Sequence, residues 1–167
     1  MKRKPLTKDE LLPMSAEKIR GLSLEGHIAL SVLRRGCGNV IQIGHLAKVN
    51  YLSYFLRDVT PAGSNIEQFR MTEVLIEDCL MQAVCSERWT LKEEEYSIIE
   101  QALLLFDAQL AAAPAYQYKN AWRQLMAVVV KNQQSPIEGS RIRATLDEVH
   151  AVDTMIRDEV ALSHVLS

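Results

Sequence analysis

The sequence predicts an all-α protein, a single helical bundle of about five or six helices. Three observations carry that expectation. Four hydroxyl residues each stand three positions before a glutamate at the edge of an apolar run: Thr7 and Glu10, Ser64 and Glu67, Thr90 and Glu93, Ser135 and Glu138. In that spacing the hydroxyl accepts the third amide of a helix while the carboxylate reaches back to the cap amide. Between these caps, apolar residues recur at intervals of three and four. The five prolines and seven glycines read as punctuation between the apolar segments.

Taken in order, residues 1–20 form a basic N-terminal arm, with Thr7 and Glu10 marking one early helix start. Residues 21–132 form the helical core. Its first long helix starts at Ser23 and puts Leu24, Ile28, Val32 and Arg35 on one face, with Ala29 and Leu33 beside them. It stops at Gly36, because glycine accepts the left-handed conformation that ends a helix. Gly38 and Asn39 then restart the chain. The second helix runs from Asn39 to about Val59 and spreads Val40, Ile43, Leu46, Ala47, Tyr51, Tyr54 and Phe55 over a wide arc, which predicts burial on several sides. Thr60-Pro61-Ala62-Gly63 ends it.

The third helix, about 65–86, places Ile66, Phe69, Ile76, Leu80 and Val84 inward. The fourth, about 91–112, uses Leu91, Ile98, Ile99, Ala102, Leu103, Phe106 and Leu110. Pro114 favours a new helix start over a kink, since proline in a helix interior costs about 3 kcal/mol. The fifth helix, about 115–131, carries Tyr118, Trp122, Leu125, Met126 and Val129. Residues 133–167 form a polar linker and a C-terminal helix of the same domain. That helix repeats Ile142, Leu146, Val149, Ile156 and Val160 at close to heptad spacing, which suits packing on its own bundle or against a second copy in a homodimer.

The charge balance narrows the partners. The chain of 167 residues has a formal net charge of −2. Residues 1–20 hold six basic groups and three acidic ones, so the rest carries −5. A nucleic-acid-binding domain usually shows a basic excess, because phosphate contacts supply much of its affinity. A protein partner is therefore favoured, with nucleic acid as the second choice, and no membrane contact is expected. The charged N-terminus is not a signal peptide. The odd cysteine set of Cys37, Cys79 and Cys85 then points to free thiols in a reducing cytoplasm, with Cys79 and Cys85 in the core.

Several residue sets invite a chemical reading. The Leu33-Arg34-Arg35-Gly36-Cys37-Gly38-Asn39 corner concentrates charge, a thiol and exposed backbone amides between two helices. Its arginines suit bidentate pairing with carboxylate or phosphate, or with Asp107, which interrupts an apolar run. Asp147, His150 and Asp153 lie at i, i+3 and i+6, the spacing of a helix-bundle metal site, but no matching Glu-x-x-His is present. Cys37 with His27 or His45 and Asp107 would make a thiol catalytic set if the fold joined them. For reading a DNA groove, Arg141 and Arg143 are better placed than the second helix, although Asp147 and Glu148 follow at once.

Leu24-x-x-His27-x-Ala29-Leu30, Arg35-Gly36-x-Gly38-Asn39, Tyr51-Leu52-x-x-Phe55-Leu56, Trp89-x-Leu91, Leu105-x-Asp107-x-Gln109-Leu110 and Ser135-Pro136-Ile137 together resemble a group of short, uncharacterised proteobacterial proteins loosely labelled Fis-family transcriptional regulators. The resemblance spans about residues 20–138 and implies a regulatory role. The acidic C-terminal segment departs from the basic helix-turn-helix that ends Fis proteins, so the resemblance assigns neither DNA binding nor functional residues.

The expectation is thus a non-enzymatic bacterial regulatory or interaction protein without a cofactor, a transcriptional regulator or mobile-element accessory protein. Its contact elements would be Arg34, Arg35, Lys2, Arg3, Lys4, Arg141 and Arg143. The alternative is a small helical metal binder or enzyme using Asp147, His150 and Asp153.

Overall fold

The computed structural model describes residues 5–86, 88–131, 134–140 and 142. Among them are six α-helices: α1 (Lys8–Leu11), α2 (Ala16–Arg34), α3 (Val40–Phe55), α4 (Ile66–Ser86), α5 (Glu93–Ala112) and α6 (Ala115–Val130). Two 3-10 turns, Arg57–Val59 and Pro61–Ser64, link α3 to α4. No strand occurs among the described residues, and Pro13 forms an isolated antiparallel bridge with Pro114. The all-α bundle is as the sequence predicts. The C-terminal helix that the sequence predicts, with Arg141, Arg143, Asp147, His150 and Asp153, falls on residues outside the described ones, as do Lys2, Arg3 and Lys4.

Helix α3 is the hub and packs against α2, α4, α5 and α6. Its wide apolar arc is the cause: Ile43, Leu46, Val49 and Leu52 are all buried, and the neighbouring helices cover separate sectors of it. A second, smaller apolar cluster joins Tyr54, Phe69, Leu105 and Ile137. Within it the Tyr54 and Phe69 rings meet edge-on at 5.6 Å, a preferred aromatic geometry.

Several local expectations are corrected. Helix α2 starts at Ala16 rather than Ser23, because the Ser15 hydroxyl accepts the Lys18 amide and caps it. The first turn of α2 and all of α1 therefore fall within residues 1–20, where the sequence suggests an arm. Gly21 and Gly26 lie within α2 and Gly44 within α3, so those three glycines are not punctuation. The face of α2 that packs is Leu22, Gly26, Ala29, Leu30 and Leu33. Leu24 and Ile28, the core face by periodicity, are 54% and 51% exposed.

In α4 the inward residues are Phe69, Thr72, Glu73, Ile76, Cys79 and Ala83, while Val84 is 75% exposed and Cys85 also faces outward. Ala83 takes the inward place in the last turn, which turns Val84 and Cys85 away from the neighbours. Only two of the four capping hydroxyls act near their predicted places. Thr7 forms the full box with Glu10. Ser135 accepts the Ile137 amide two residues on, but in a turn rather than at a helix start. Ser64 instead donates to the Pro61 carbonyl, and Glu95 accepts the Lys92 amide at the start of α5, two residues beyond the predicted Thr90 box.

Residues 134–140 of the polar linker pack on the bundle. Ile137 is buried, the Glu138 amide donates to Tyr54 Oη at 3.2 Å, and Arg70 Nε donates to the Glu138 carbonyl at 2.7 Å. The Ser140 hydroxyl donates to Glu73. These contacts sew the segment to α3 and α4.

The backbone of the α2–α3 corner yields a paired stability test. Gly36 has φ +71°, and a side chain there costs about 1 kcal/mol. Gly21 sits in an exposed helix interior with open space around its Cα, where alanine gains about 0.5–1 kcal/mol. Urea unfolding should therefore move the midpoint down for Gly36→Ala and up for Gly21→Ala.

Candidate interaction site

The corner between α2 and α3 is fixed from both sides. At the end of α2 the Gly36 amide donates to the Leu33 carbonyl at 2.8 Å, and the Cys37 amide donates to the Val32 carbonyl at 3.2 Å. This pair of bonds is a Schellman stop, and Gly36 supplies its left-handed residue. At the start of α3 the Asn39 side chain accepts the Ile41 amide at 2.8 Å, while Gln42 accepts the Asn39 amide at 3.0 Å. The Leu33 carbonyl gains a further donor in the buried Tyr96 hydroxyl, which ties the corner to α5. Gly38 has a different role from Gly36. A Cβ there would run into the Leu33 side chain and come within 3.2 Å of Trp89, so the residue is small because the packing is close.

On this frame the two arginines diverge. Arg34 lies over the Tyr96 ring, its guanidinium carbon 4.6 Å from the ring centroid, and donates to Glu100 at 2.9 Å. The ion pair is about half exposed and contributes at most about 1 kcal/mol; its effect is to hold the guanidinium in place. Arg35 is exposed, and among the described residues no ion pair engages it. Cys37 is exposed too, its thiol directed at the Arg35 carbonyl at 3.7 Å. Ile41, in the first turn of α3, adds an exposed apolar side chain.

Asp107 is not the partner of either arginine. It pairs with His27, Nε2 to Oδ2 at 2.9 Å, across the α2–α5 contact. A carboxylate only accepts, so Nε2 carries the proton and Nδ1 of a neutral ring is left as acceptor. The fold thus joins two members of the imagined thiol set, while the Cys37 thiol turns back on its own corner. Cys79 is buried, and burial, with Glu95 nearby, pushes its thiol pKa up to about 11. It is a packing residue at neutral pH.

A second feature has no counterpart among the sequence expectations. Helices α3, α4 and α6 enclose a cleft of about 710 Å³ including its open mouth, with Ile142 on its wall. Its polar groups are few and mostly tied. Glu73, 4% exposed, accepts from Tyr51 Oη at 2.8 Å and from Ser140 Oγ at 2.5 Å. Lys48 donates to Glu25 at 2.9 Å. Glu77 has its pKa raised by burial first, then by the charges of Glu73 and Asp78. The available signal was Glu73 lying at a core-face position between Phe69 and Ile76.

Among the described residues no group of three histidines, cysteines or carboxylates is placed to hold a metal ion, and no helix is long and apolar enough to cross a membrane. No protein-family model, curated protein or solved structure matches the chain.

His45 provides the pH dependence. Burial lowers its pKa from 6.5, the Lys48 charge lowers it further and Glu25 opposes both. Its Nδ1 stands 3.7 Å from the Glu25 carboxylate, too far for a hydrogen bond. The unfolded chain therefore takes up this proton more readily than the folded one. The contribution of His45 to stability is complete above about pH 6.5 and is lost as pH falls toward the depressed folded value. Urea midpoints measured from about pH 7.5 down to about pH 5.5 should fall more steeply for the wild type than for His45→Gln. Equal slopes would mean that the ring does not titrate with folding.

Proposed function

We propose that this chain is a non-enzymatic regulatory or interaction protein of a bacterial cell, which binds a protein or nucleoprotein partner through the α2–α3 corner. The observation that supports this reading most is the contrast between the two arginines. Arg34 is held by Tyr96 and Glu100, while Arg35 projects from a backbone that hydrogen bonds fix on both sides. A rigid mount lowers the entropy lost on binding, and arginine beside exposed apolar side chains is a common composition for binding hot spots. Ile41 supplies the apolar neighbour on the corner, and Leu24 and Ile28 supply more on the outer face of α2.

The net charge of −2 supports a protein surface over bare nucleic acid as the partner. A carboxylate-bearing protein surface would meet Arg35 bidentately. The resemblance to proteins labelled Fis-family regulators supports the narrower version, a regulator of transcription. In that version the contact is with a protein of the transcription apparatus or with a nucleoprotein.

Cys37 offers a native handle for the test. In a Cys85→Ser background, a photo-crosslinker on Cys37 should trap one discrete partner from the host, and Arg35→Glu should lower the yield roughly tenfold, the effect of about 1.4 kcal/mol. An undiminished yield would remove the corner from the interface. Gel shifts on duplex DNA decide the nature of the partner: retardation that weakens steeply with salt identifies phosphate contacts.

A further inference from the structure

The cleft between α3, α4 and α6 is lined mainly by apolar side chains. Val40, Ile43 and Ala47 form its floor, and Ile76, Leu125 and Val129 form its sides. Its polar groups gather toward one end, where Tyr51 and Ser140 both donate to Glu73 and Glu77 stands one turn further along α4. The chain itself arrives at that end. The Ser140 hydroxyl binds Glu73, the Ile142 amide donates to Ser140 Oγ at 3.2 Å, the Ser135 amide donates to the Ile142 carbonyl at 3.2 Å, and the Ile142 side chain lines the cleft. Ile142, from which the rest of the chain continues, is therefore itself part of the cleft wall.

The sequence beyond Ile142 suits the cleft. Residues 143–167 continue the apolar repeat begun by Ile142 with Leu146, Val149, Ile156 and Val160. As a helix, Ile142 to Val152 would span about 15 Å, and the α3 wall from Val40 to Tyr51 spans about 16 Å. The basic groups stand at the start of the segment, ahead of Asp147 and Glu148. Arg141 and Arg143 flank Ile142 in sequence, and Ser140 just before them is bonded to the α4 wall that carries Glu73 and Glu77. Burial and mutual repulsion already raise the Glu77 pKa, so a cation brought to this wall relieves an existing cost.

We infer that the occupant of the cleft is this chain's own segment 143–152, docked as a helix with Leu146 and Val149 against α3 and α6. Burying those two side chains would cover apolar surface that otherwise faces water. The segment is then a covalently tethered ligand, so its local concentration is high and docking needs no second molecule. This inference does not rest on the role proposed for the corner.

Methyl NMR of the full chain, labelled at isoleucine, leucine and valine, tests it. Docking in cis produces nuclear Overhauser contacts from the methyls of Ile43, Leu125 or Val129 to those of Leu146 or Val149, unchanged on dilution. The double variant Leu146→Asp/Val149→Asp should abolish these contacts and shift the cleft methyls. The Leu22 and Leu30 methyls of α2 should stay in place, which shows that the bundle is still folded. Contacts seen only between differently labelled chains and lost on dilution would make a second copy the occupant and overturn the inference. Cleft methyls that are in contact with neither residue and are unmoved by the double variant would also overturn it.

Discussion

The constraint that organises this structure is the burial of α3 on several sides while it carries Lys48, Asn50 and Ser53. A buried polar group without a partner costs about 1–3 kcal/mol, so each neighbouring helix must supply one at a set position. Helix α5 supplies Gln109, which is fully buried; its amide donates to the Ser53 carbonyl at 3.0 Å, and the Ser53 hydroxyl donates back at 2.5 Å. Helix α4 supplies the Phe69 carbonyl to the Asn50 amide at 3.0 Å. Helix α2 supplies Glu25 to the Lys48 ammonium at 2.9 Å. Apolar packing alone tolerates sliding of one helix along another. These three links fix the level of α2, α4 and α5 against α3, so they set the register of the bundle more than its total stability.

The α2–α3 corner depends on that register. With α2 held against α5 by His27 and Asp107 at one level, Arg34 and Glu100 fall opposite each other two turns further on. Tyr96 then comes under the Arg34 guanidinium, and its hydroxyl reaches the Leu33 carbonyl. The direction of the corner is thus decided by side chains on a third helix as well as by Gly36 and Asn39.

The legibility of the chain divides along the same lines. The Gly36 stop and the Asn39 restart were readable because they depend on local backbone geometry, where glycine and asparagine have specific preferences. The central place of α3 was readable because its apolar arc is wide. The buried face of α2 was not. Leu24 and Ile28 are larger than Gly26 and Ala29, so periodicity alone favours them as core, yet the small residues are the ones that let α2 approach its neighbours. At Gly26 a Cβ would come within 2.6 Å of the Leu103 side chain on α5. Close approach decides the face, and a hydropathy pattern does not contain it. The pairing of Asp107 was unreadable for a related reason: His27 and Arg34 lie two turns apart on the same helix, and which of them Asp107 meets depends on the register that Gln109 with Ser53 and Glu25 with Lys48 set through α3.

Close approach also explains why some large apolar residues lie outside. Where helices meet through glycine and alanine, the larger apolar residues of the same turns are left outside. Leu24 and Ile28 on α2 are of this kind, and Leu104 on α5 is exposed beside the buried Leu103. On α2 this outer stripe leads along the helix toward the corner from which Arg35 projects. Close packing inside the bundle therefore has an external consequence: it places apolar side chains and an exposed guanidinium on one rigid element. An interface needs an apolar contact for affinity and a directional charge for orientation. On α2 both arise from the packing that makes the fold.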